Sequence, residues 1–396
     1  MTTKLEHAEA YWFADSRGNR FIVESNAQMY DTRHKHRRPK YHIGPQFGQR
    51  TGRTHHVAGG GPVLGDYILD SKLFSCEYVP MKEKPEFPET LQDAIKFFSD
   101  DDRALEFMAA IRWPDGKAYC PRCNSSNSVF MPARRLWRCR DCQRQYSAKI
   151  GTVFEESPLG LDKWFPAFWM IVNAKNGISS CELGRALGVT QKTAWFMLHR
   201  IRLAVQDGSI CGFAGNVEVD ETFIGGKARN MHKGQRKIRG TGPVAMTPVM
   251  GLLERTTPKR KSRVILKVVQ STRRPELQAH VRKYVAKGSE VHTDALKSYE
   301  GLRDDYVHNV IDHAVCYARG HVHTNGLENF WSLLKRTVRG TYVSVEPFHL
   351  FRYLDEQAFR FNERNDTDAG RFLKGIIGII GKRLQYVNSL SQPLHE

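Results

Sequence analysis

Three carboxylates stand out for their settings and their spacing. Asp220 lies in the apolar run Val217-Glu218-Val219-Asp220-Glu221-Thr222-Phe223-Ile224, and Asp294 closes a second run, Glu290-Val291-His292-Thr293-Asp294. Glu328 opens an amphipathic stretch, Asn325-Gly326-Leu327-Glu328-Asn329-Phe330-Trp331, and the two intervals are 74 and 34 residues. Carboxylate oxygens suit hard divalent ions such as Mg²⁺ and Mn²⁺. Two such ions can clamp the attacking and leaving oxygens of a phosphodiester. Taken singly, each acid also has an ordinary explanation. A strand aspartate is disfavoured unless it sits on a solvent-facing edge. Asp294 could cap a helix containing Ala295, Leu296 and Tyr299, and Glu328 could complete a capping box begun by Asn325.

The helix expected to carry Glu328 shifts the balance. Leu327, Trp331, Leu334 and Val338 form its apolar stripe, while Glu328, Ser332, Lys335 and Arg339 share a separate polar face. One carboxylate followed by two cations along a face is what a metal site beside a phosphate backbone requires. Asn325 and Asn329 neighbour Glu328 and are alternative ligands, with Asp355-Glu356 further along as an outside candidate. In the first run, alternation places Val217, Val219 and Phe223 on one face and Glu218, Asp220 and Thr222 on the other.

Four of the eight cysteines fall into two Cys-x-x-Cys pairs, Cys120/Cys123 and Cys139/Cys142, separated by fifteen residues. Two such knuckles can present four thiolates to one tetrahedral Zn²⁺. Redox chemistry would want one exposed pair beside a βαβ unit, so a structural ion is the stronger reading. Phe130, Leu136 and Trp137 lie between the pairs, where a hairpin could pack over the centre. Arg122, Arg134, Arg135, Arg138, Arg140 and Arg144 surround it, as phosphate contacts or as a solvated basic surface.

The elements that must hold these groups are partly legible. Leu91, Ala94, Ile95 and Phe98, then Ala104, Phe107, Met108 and Ile111, recur at helical spacing. Ser179-Ser180-Cys181-Glu182 fits a capping box that starts a short helix. Gly188-Val189-Thr190 then turns the chain into a second helix with apolar Ala194, Met197, Leu198 and Ile201. Short helix, glycine turn and a second helix with polar first residues is the layout of a DNA-reading helix-turn-helix. Gln191, Lys192 and Thr193 would face bases or phosphates, with His199, Arg200 and Arg202 further along; an ordinary helical hairpin is the alternative. Strands are expected at 216–224, 248–254, 263–270 and 289–294, with helices near 274–287, 326–338 and 346–364 and a short apolar stretch at the end. Strands interrupted by helices describe an α/β domain.

Composition bounds the partners. Lys+Arg is 60 against Asp+Glu 42, a net charge of +18, with a pI near 9.6. That surplus favours a polyanionic partner. No apolar run reaches the roughly 18–20 residues that span a bilayer, which argues against a membrane protein and for the cytoplasm. Residues 1–80 carry only +3 of the charge, include Arg33-His34-Lys35-His36-Arg37-Arg38-Pro39-Lys40 and Gly59-Gly60-Gly61-Pro62, and show no sustained periodicity. They read as a disordered or non-native N-terminal extension ahead of Met81, with a basic DNA-touching arm as the alternative.

The motifs Cys-Pro-x-Cys…Cys-x-x-Cys, Val-Asp-Glu-Thr-Phe-Ile-Gly-Gly (219–226), His-Thr-Asp (292–294) and His-Thr-Asn-Gly-Leu-Glu-Asn-Phe-Trp-Ser-Leu-Leu-Lys-Arg (323–336) together resemble bacterial insertion-sequence transposases. The resemblance is to the zinc-ribbon, DDE-type group related to eukaryotic Merlin elements, and it covers about residues 81–365. It implies a ribonuclease-H-like α/β core preceded by a zinc ribbon and a helix-turn-helix. An Asp-Asp-Glu triad there would bind two Mg²⁺ or Mn²⁺ ions and cut and join DNA at element ends. Asp220 and Asp294 match the first two acids. Members of the group differ over whether Asn or Glu completes the set, and the third position falls on Glu328, with Lys335 as companion cation. The expected parts are the helix plus zinc ribbon at 81–150, the DNA-binding helices at 151–210, the catalytic core at 211–342 and a C-terminal helical region at 343–396. Terminal inverted repeats and target DNA are the implied partners, met by a homo-oligomer in a synaptic complex. The expected DNA contacts are Gln191, Lys192, Thr193, Arg200, Lys335 and Arg339. So are those of a basic loop with Lys227, Arg229, Lys233, Arg236, Lys237 and Arg239. A nuclease or resolvase that releases nicked DNA, and a DNA-binding regulator without chemistry, are the rival readings.

Overall fold

In the computed structural model the described residues are 10–14, 20–24, 87–206, 212–226, 246–258, 260–311 and 323–384. The basic stretches at 33–40 and 227–239 lie outside them. Strands β1 (Ala10–Ala14) and β2 (Arg20–Glu24) pair as an antiparallel hairpin, an element that the reading of residues 1–80 as featureless did not include.

Helices α1 (Leu91–Phe98) and α2 (Asp101–Arg112) begin where short polar side chains satisfy their first amides. Thr90 accepts from the Asp93 amide, and Asp100 accepts from the amides of Asp102 and Arg103. Ala94, Phe98, Ala104, Met108 and Ile111 are buried as the periodicity requires. Leu91 and Ile95 are exposed instead, because so short a helix presents only one narrow edge to its neighbours. The ribbon follows as β3 (Ser128–Met131), β4 (Leu136–Cys139) and β5 (Gln145–Tyr146), an antiparallel sheet in that order.

Next come α3 (Leu161–Asn173), α4 (Ser180–Leu187) and α5 (Gln191–Ala204). Trp164, Phe165, Ala167, Phe168, Trp169, Ile171 and Val172 are all buried, so α3 is apolar nearly all round. That is the signature of a helix at the centre of a bundle. Ser179 caps α4, Gly188 ends it in the left-handed conformation at φ 64°, and Thr190 caps α5.

A five-stranded sheet is built from β6 (Asn216–Ile224), β7 (Thr247–Glu254), β8 (Arg263–Val268), β9 (Glu290–Asp294) and β10 (Val307–Ile311) in the order β10-β9-β6-β7-β8. The first three in sequence are antiparallel neighbours. Helix α6 (Arg274–Tyr284) then carries the chain from β8 at one edge to β9, which runs parallel to β6, and β10 runs parallel to β9. One face of the sheet buries Val217, Val219, Met250, Leu252 and Val291 against Leu277 and Val281 of α6. The other buries Val249, Leu253, Val264 and Leu266 against Leu327, Phe330, Trp331 and Leu334 of α7 (Asn325–Thr337), with Leu350 and Leu354 of α8 (Leu350–Asn362). The last helix, α9 (Asp368–Ile377), is capped by Thr367. It returns to the N-terminal helices, setting the Phe372 ring 5.7 Å from Phe98 and 5.1 Å from Trp169.

Candidate active site and zinc ribbon

The strand register brings the first two acids together. Asn216, Val217 and Glu218 of β6 lie opposite Glu290, Val291 and His292 of β9. The same offset of 74 residues carries Asp220 to the level of Asp294. Neighbouring parallel strands are about 4.8 Å apart, so Asp220, in the middle of β6, lies beside Asp294, the last residue of β9. The His292 ring lies 3.0 Å from Asn216 Oδ1, a bond that fastens the register. Burial pushes the Asp220 carboxyl up to about 6. The charges of Asp294 and Glu328 add to that rise, while the Trp331 hydrogen bond opposes it. The third acid therefore stands within electrostatic reach of the first. Among the described residues no lysine or arginine forms an ion pair with Asp220 or Asp294. Carboxylates gathered in this way have the donor chemistry of a hard divalent-cation site. Among the described residues their oxygens do not converge as tightly as the cysteine sulfurs described below.

Glu328 reaches this place because α7 is strapped to β6. The buried Glu218 carboxylate accepts the Leu327 amide at 2.9 Å, satisfying a free donor at the helix N-terminus. Its other oxygen pairs with Arg255 at 2.7 Å, and Arg255 also donates to the His323 carbonyl at 2.5 Å. One turn further along α7, the Trp331 indole N–H donates to Asp220 Oδ2 at 2.9 Å. The helix is capped at Thr324 without a side-chain bond to its amides, so no capping box runs from Asn325 to Glu328. Asp294 does accept one local amide, from Leu296 at 3.1 Å, but a 3-10 turn follows rather than an α-helix.

Glu218 and Arg255 were not singled out from the sequence, and neither was Glu221. On the opposite face from Asp220, Glu221 accepts a hydrogen bond from the Tyr299 hydroxyl. Its carboxyl is pushed up to about 9, first by burial and then by Asp220 and Asp294. Three acids in four residues of one strand was the available signal, and it did not separate the fully buried positioning acid, Glu218, from the half-buried Asp220 and Glu221. Phe223 shares the Val217 face yet is 36% exposed, because β6 runs on past the end of β9. The outside candidates do not join the site. Glu356 is buried in ion pairs with Arg202 and Arg360, and Asp355 lines a cleft with Lys267 and Lys382. Lys335 is half-buried two turns beyond Glu328 on the expected polar face, whereas Arg339 is exposed in a π-helical turn, Val338–Tyr342, that follows the end of α7.

At the start of α5, Gln191 and Lys192 are exposed and Thr193 is half-buried. The residues further along are a correction to the expected DNA face. Arg200 is 5% exposed and donates to the carbonyls of Val153 at 2.9 Å and Glu155 at 2.7 Å. His199 and Arg202 are buried as well, Arg202 against Glu356 at 2.6 Å. These side chains lie in a stretch of α5, residues 197–202, in which every residue is buried, and charge alone did not reveal that.

The four cysteines converge. Their sulfurs all lie within 4.8 Å of one another, with 3.4 Å between Cys120 and Cys142 and 3.5 Å between Cys123 and Cys139. Tetrahedral Zn–S bonds put sulfurs about 3.8 Å apart, so the donor set fits Zn²⁺. The two knuckles repeat one backbone device. Cys120 N donates to Ser125 O and Cys139 N to Arg144 O, both at 2.9 Å, while Asn124 and Gln143 take positive φ. Trp137 packs at 4.9 Å from Trp113 and 4.8 Å from Phe130, the apolar lid expected between the pairs. Of the surrounding arginines, Arg135 is engaged by Asp101 and Asp102 of α2.

The profile of the ISXO2-like transposase domain matches residues 212–362, and that of a transposase zinc-ribbon domain matches residues 99–145. An uncharacterised protein of the transposable element ISH50 from Halobacterium salinarum is 30% identical over 256 residues, covering 61% of this chain and 84% of that protein. An uncharacterised transposase-like protein from Haemophilus influenzae is 30% identical over 118 residues, 30% of this chain and 95% of its own length.

Proposed function

This chain belongs to the ISXO2-like transposase family, and we propose that it binds the terminal inverted repeats of an element, cleaves a strand there and joins the freed 3′-OH to target DNA. The observation that carries the proposal is the register of Asp220 with Asp294 on adjacent parallel strands, with Glu328 held beside them by α7. The sheet order, three antiparallel strands followed by two parallel to the first, supports a ribonuclease-H-like reading of the core.

Asp220, Asp294 and Glu328 would hold two Mg²⁺ or Mn²⁺ ions. Bound there, the ions would lower the pKa of the attacking hydroxyl and neutralise charge on the leaving oxygen. Each Asp220 oxygen already accepts one hydrogen bond, from the Glu221 amide or from Trp331. A carboxylate oxygen has two acceptor sites, so one remains on each for an ion. Lys335, on the same face of α7 as Glu328, and Arg339, in the π-helical turn Val338–Tyr342 that follows, would hold the phosphate backbone beside the acids. Gln191, Lys192 and the half-buried Thr193 at the start of α5 would meet the repeat DNA, in a helix-turn-helix role for α4 and α5. The zinc ribbon would add a second contact from its arginines. In the first step water attacks a phosphodiester and releases a 3′-OH; in the second that 3′-OH attacks a target phosphodiester and displaces its 3′ oxygen.

The test is a joining assay with the zinc-loaded full chain on linear DNA ending in the element's repeats. Joined products are expected with Mg²⁺ and none with EDTA, and Asp220→Asn should abolish joining while repeat binding persists. Nicked but unjoined DNA would mark a nuclease, and unchanged joining by Asp220→Asn would remove the site.

A further inference from the structure

We infer that Trp331 is a positioning residue for the acid site, its indole N–H setting where the Asp220 carboxylate stands relative to Glu328. The inference rests on the assignment of Asp220, Asp294 and Glu328 as the ion-holding acids. Trp331 sits three residues beyond Glu328 on α7, nearly one helical turn, so its side chain leaves the helix close to that acid. The ring is buried in the core between α7 and the sheet, 4% exposed. A buried indole N–H needs an acceptor, and here the acceptor is Asp220 Oδ2 at 2.9 Å. The Glu221 amide takes Oδ1 at 2.8 Å, so the carboxylate is pinned through both oxygens and its plane is fixed.

Two further features show that the contact is built into the fold. Gly251 lies directly opposite Asp220 in the β6–β7 register. A Cβ there would come within 2.6 and 2.7 Å of two carbons of the Trp331 ring. Only glycine lets the indole lie over the strand and reach the aspartate. The second feature is the bond from the Leu327 amide to Glu218, which fastens the same helix to the same strand. Glu218 and Asp220 share one face of β6, and Leu327 and Trp331 share one face of α7. Glu328 lies in the span between these two attachments, so its distance from Asp220 is set at both ends. A phenylalanine would fill most of the ring's volume and make no such bond.

The experiment measures Mn²⁺ affinity of the zinc-loaded full chain by titration calorimetry, with thermal unfolding as the control for packing. Trp331→Phe is expected to weaken Mn²⁺ binding about tenfold, within the range for lost support of a metal ligand. The double variant Gly251→Ala/Trp331→Phe fills the space vacated by the outer ring. It should recover thermal stability and keep the weakened Mn²⁺ affinity. Trp331→Phe with wild-type Mn²⁺ affinity, or a double variant that regains affinity along with stability, would reduce Trp331 to packing. Asp220→Asn separates the two levels of the argument. If it binds Mn²⁺ as tightly as wild type, the acid-site assignment itself is wrong; if it loses Mn²⁺ while Trp331→Phe does not, only the positioning role falls.

Discussion

At Asp355 burial and charge oppose each other. The carboxyl on α8 is pushed up to about 6 from an ordinary 3.8 by burial, against the pull of Lys267, Arg352 and Lys382. A raised folded-state value means that the favourable contribution is full below pH 3.8 and is lost as the pH climbs through 6. Asp355→Asn should therefore stabilise the protein at pH 8, by about 1–3 kcal/mol, and change little at pH 4. Urea unfolding at the two pH values measures this, and a gain at pH 4 alone would reverse the sign. Arg200 and Lys192, both on α5, should separate cleanly. Arg200→Ala strands the carbonyls of Val153 and Glu155 and should cost about 2–4 kcal/mol of stability. Lys192→Ala should leave the melting temperature alone while weakening DNA binding and flattening its salt dependence by about one unit of slope. Melting curves and DNA titrations at several salt concentrations test the pair.

The elements differ in what holds them. The ribbon strands are two to four residues long, too short to be stable without an ion. One equivalent of zinc per chain is expected by metal analysis. Its removal by a chelator should unfold the ribbon and expose Trp113 and Trp137, seen as a red-shifted tryptophan emission. Retention of the native emission spectrum after complete zinc loss would contradict that dependence. Elements with clear caps or a single period were legible in the sequence: α1, α2, α4 and α5 by both, α6, α7 and the strands β6 to β9 by period alone. Two were not. In β10, Val307 and Val310 are exposed and the pattern Val-His-Asn-Val-Ile carries no clean alternation, as an edge strand permits. In α9, Gly370, Gly375 and Gly378 hide the helical pattern. They are there because Phe168 and the Ala204 carbonyl approach the last two closely.

Across the whole molecule the sequence order and the packing order part company. The C-terminal helices do not form a region of their own: α8 covers the sheet beside α7, and α9 completes the core of the N-terminal helices. The join runs through Glu356 of α8, buried between Arg202 of α5 and Arg360, with Tyr342 donating to it. Glu356→Ala would leave two arginines buried without their counter-charge and should cost about 3–5 kcal/mol. Thermal unfolding of that variant beside Arg202→Met/Glu356→Leu measures the effect; equal loss in both would show that packing, not charge, is at stake. Among the described residues no helix is long and apolar enough to cross a membrane.

The sequence by itself determined the donor chemistry: four thiols in two knuckles, one aspartate within an apolar strand run and one at the end of another, and a glutamate at the head of an amphipathic helix. Those are properties of residue type and local period, which a linear text carries. Only the tertiary structure decided that 74 residues of separation become one step between neighbouring strands, and that Glu218 and Trp331 lash α7 above them. It also decided that Arg200 faces inward. Such outcomes depend on which faces meet across the fold. Local spacing states which residues share a face; it is silent on what that face will be packed against.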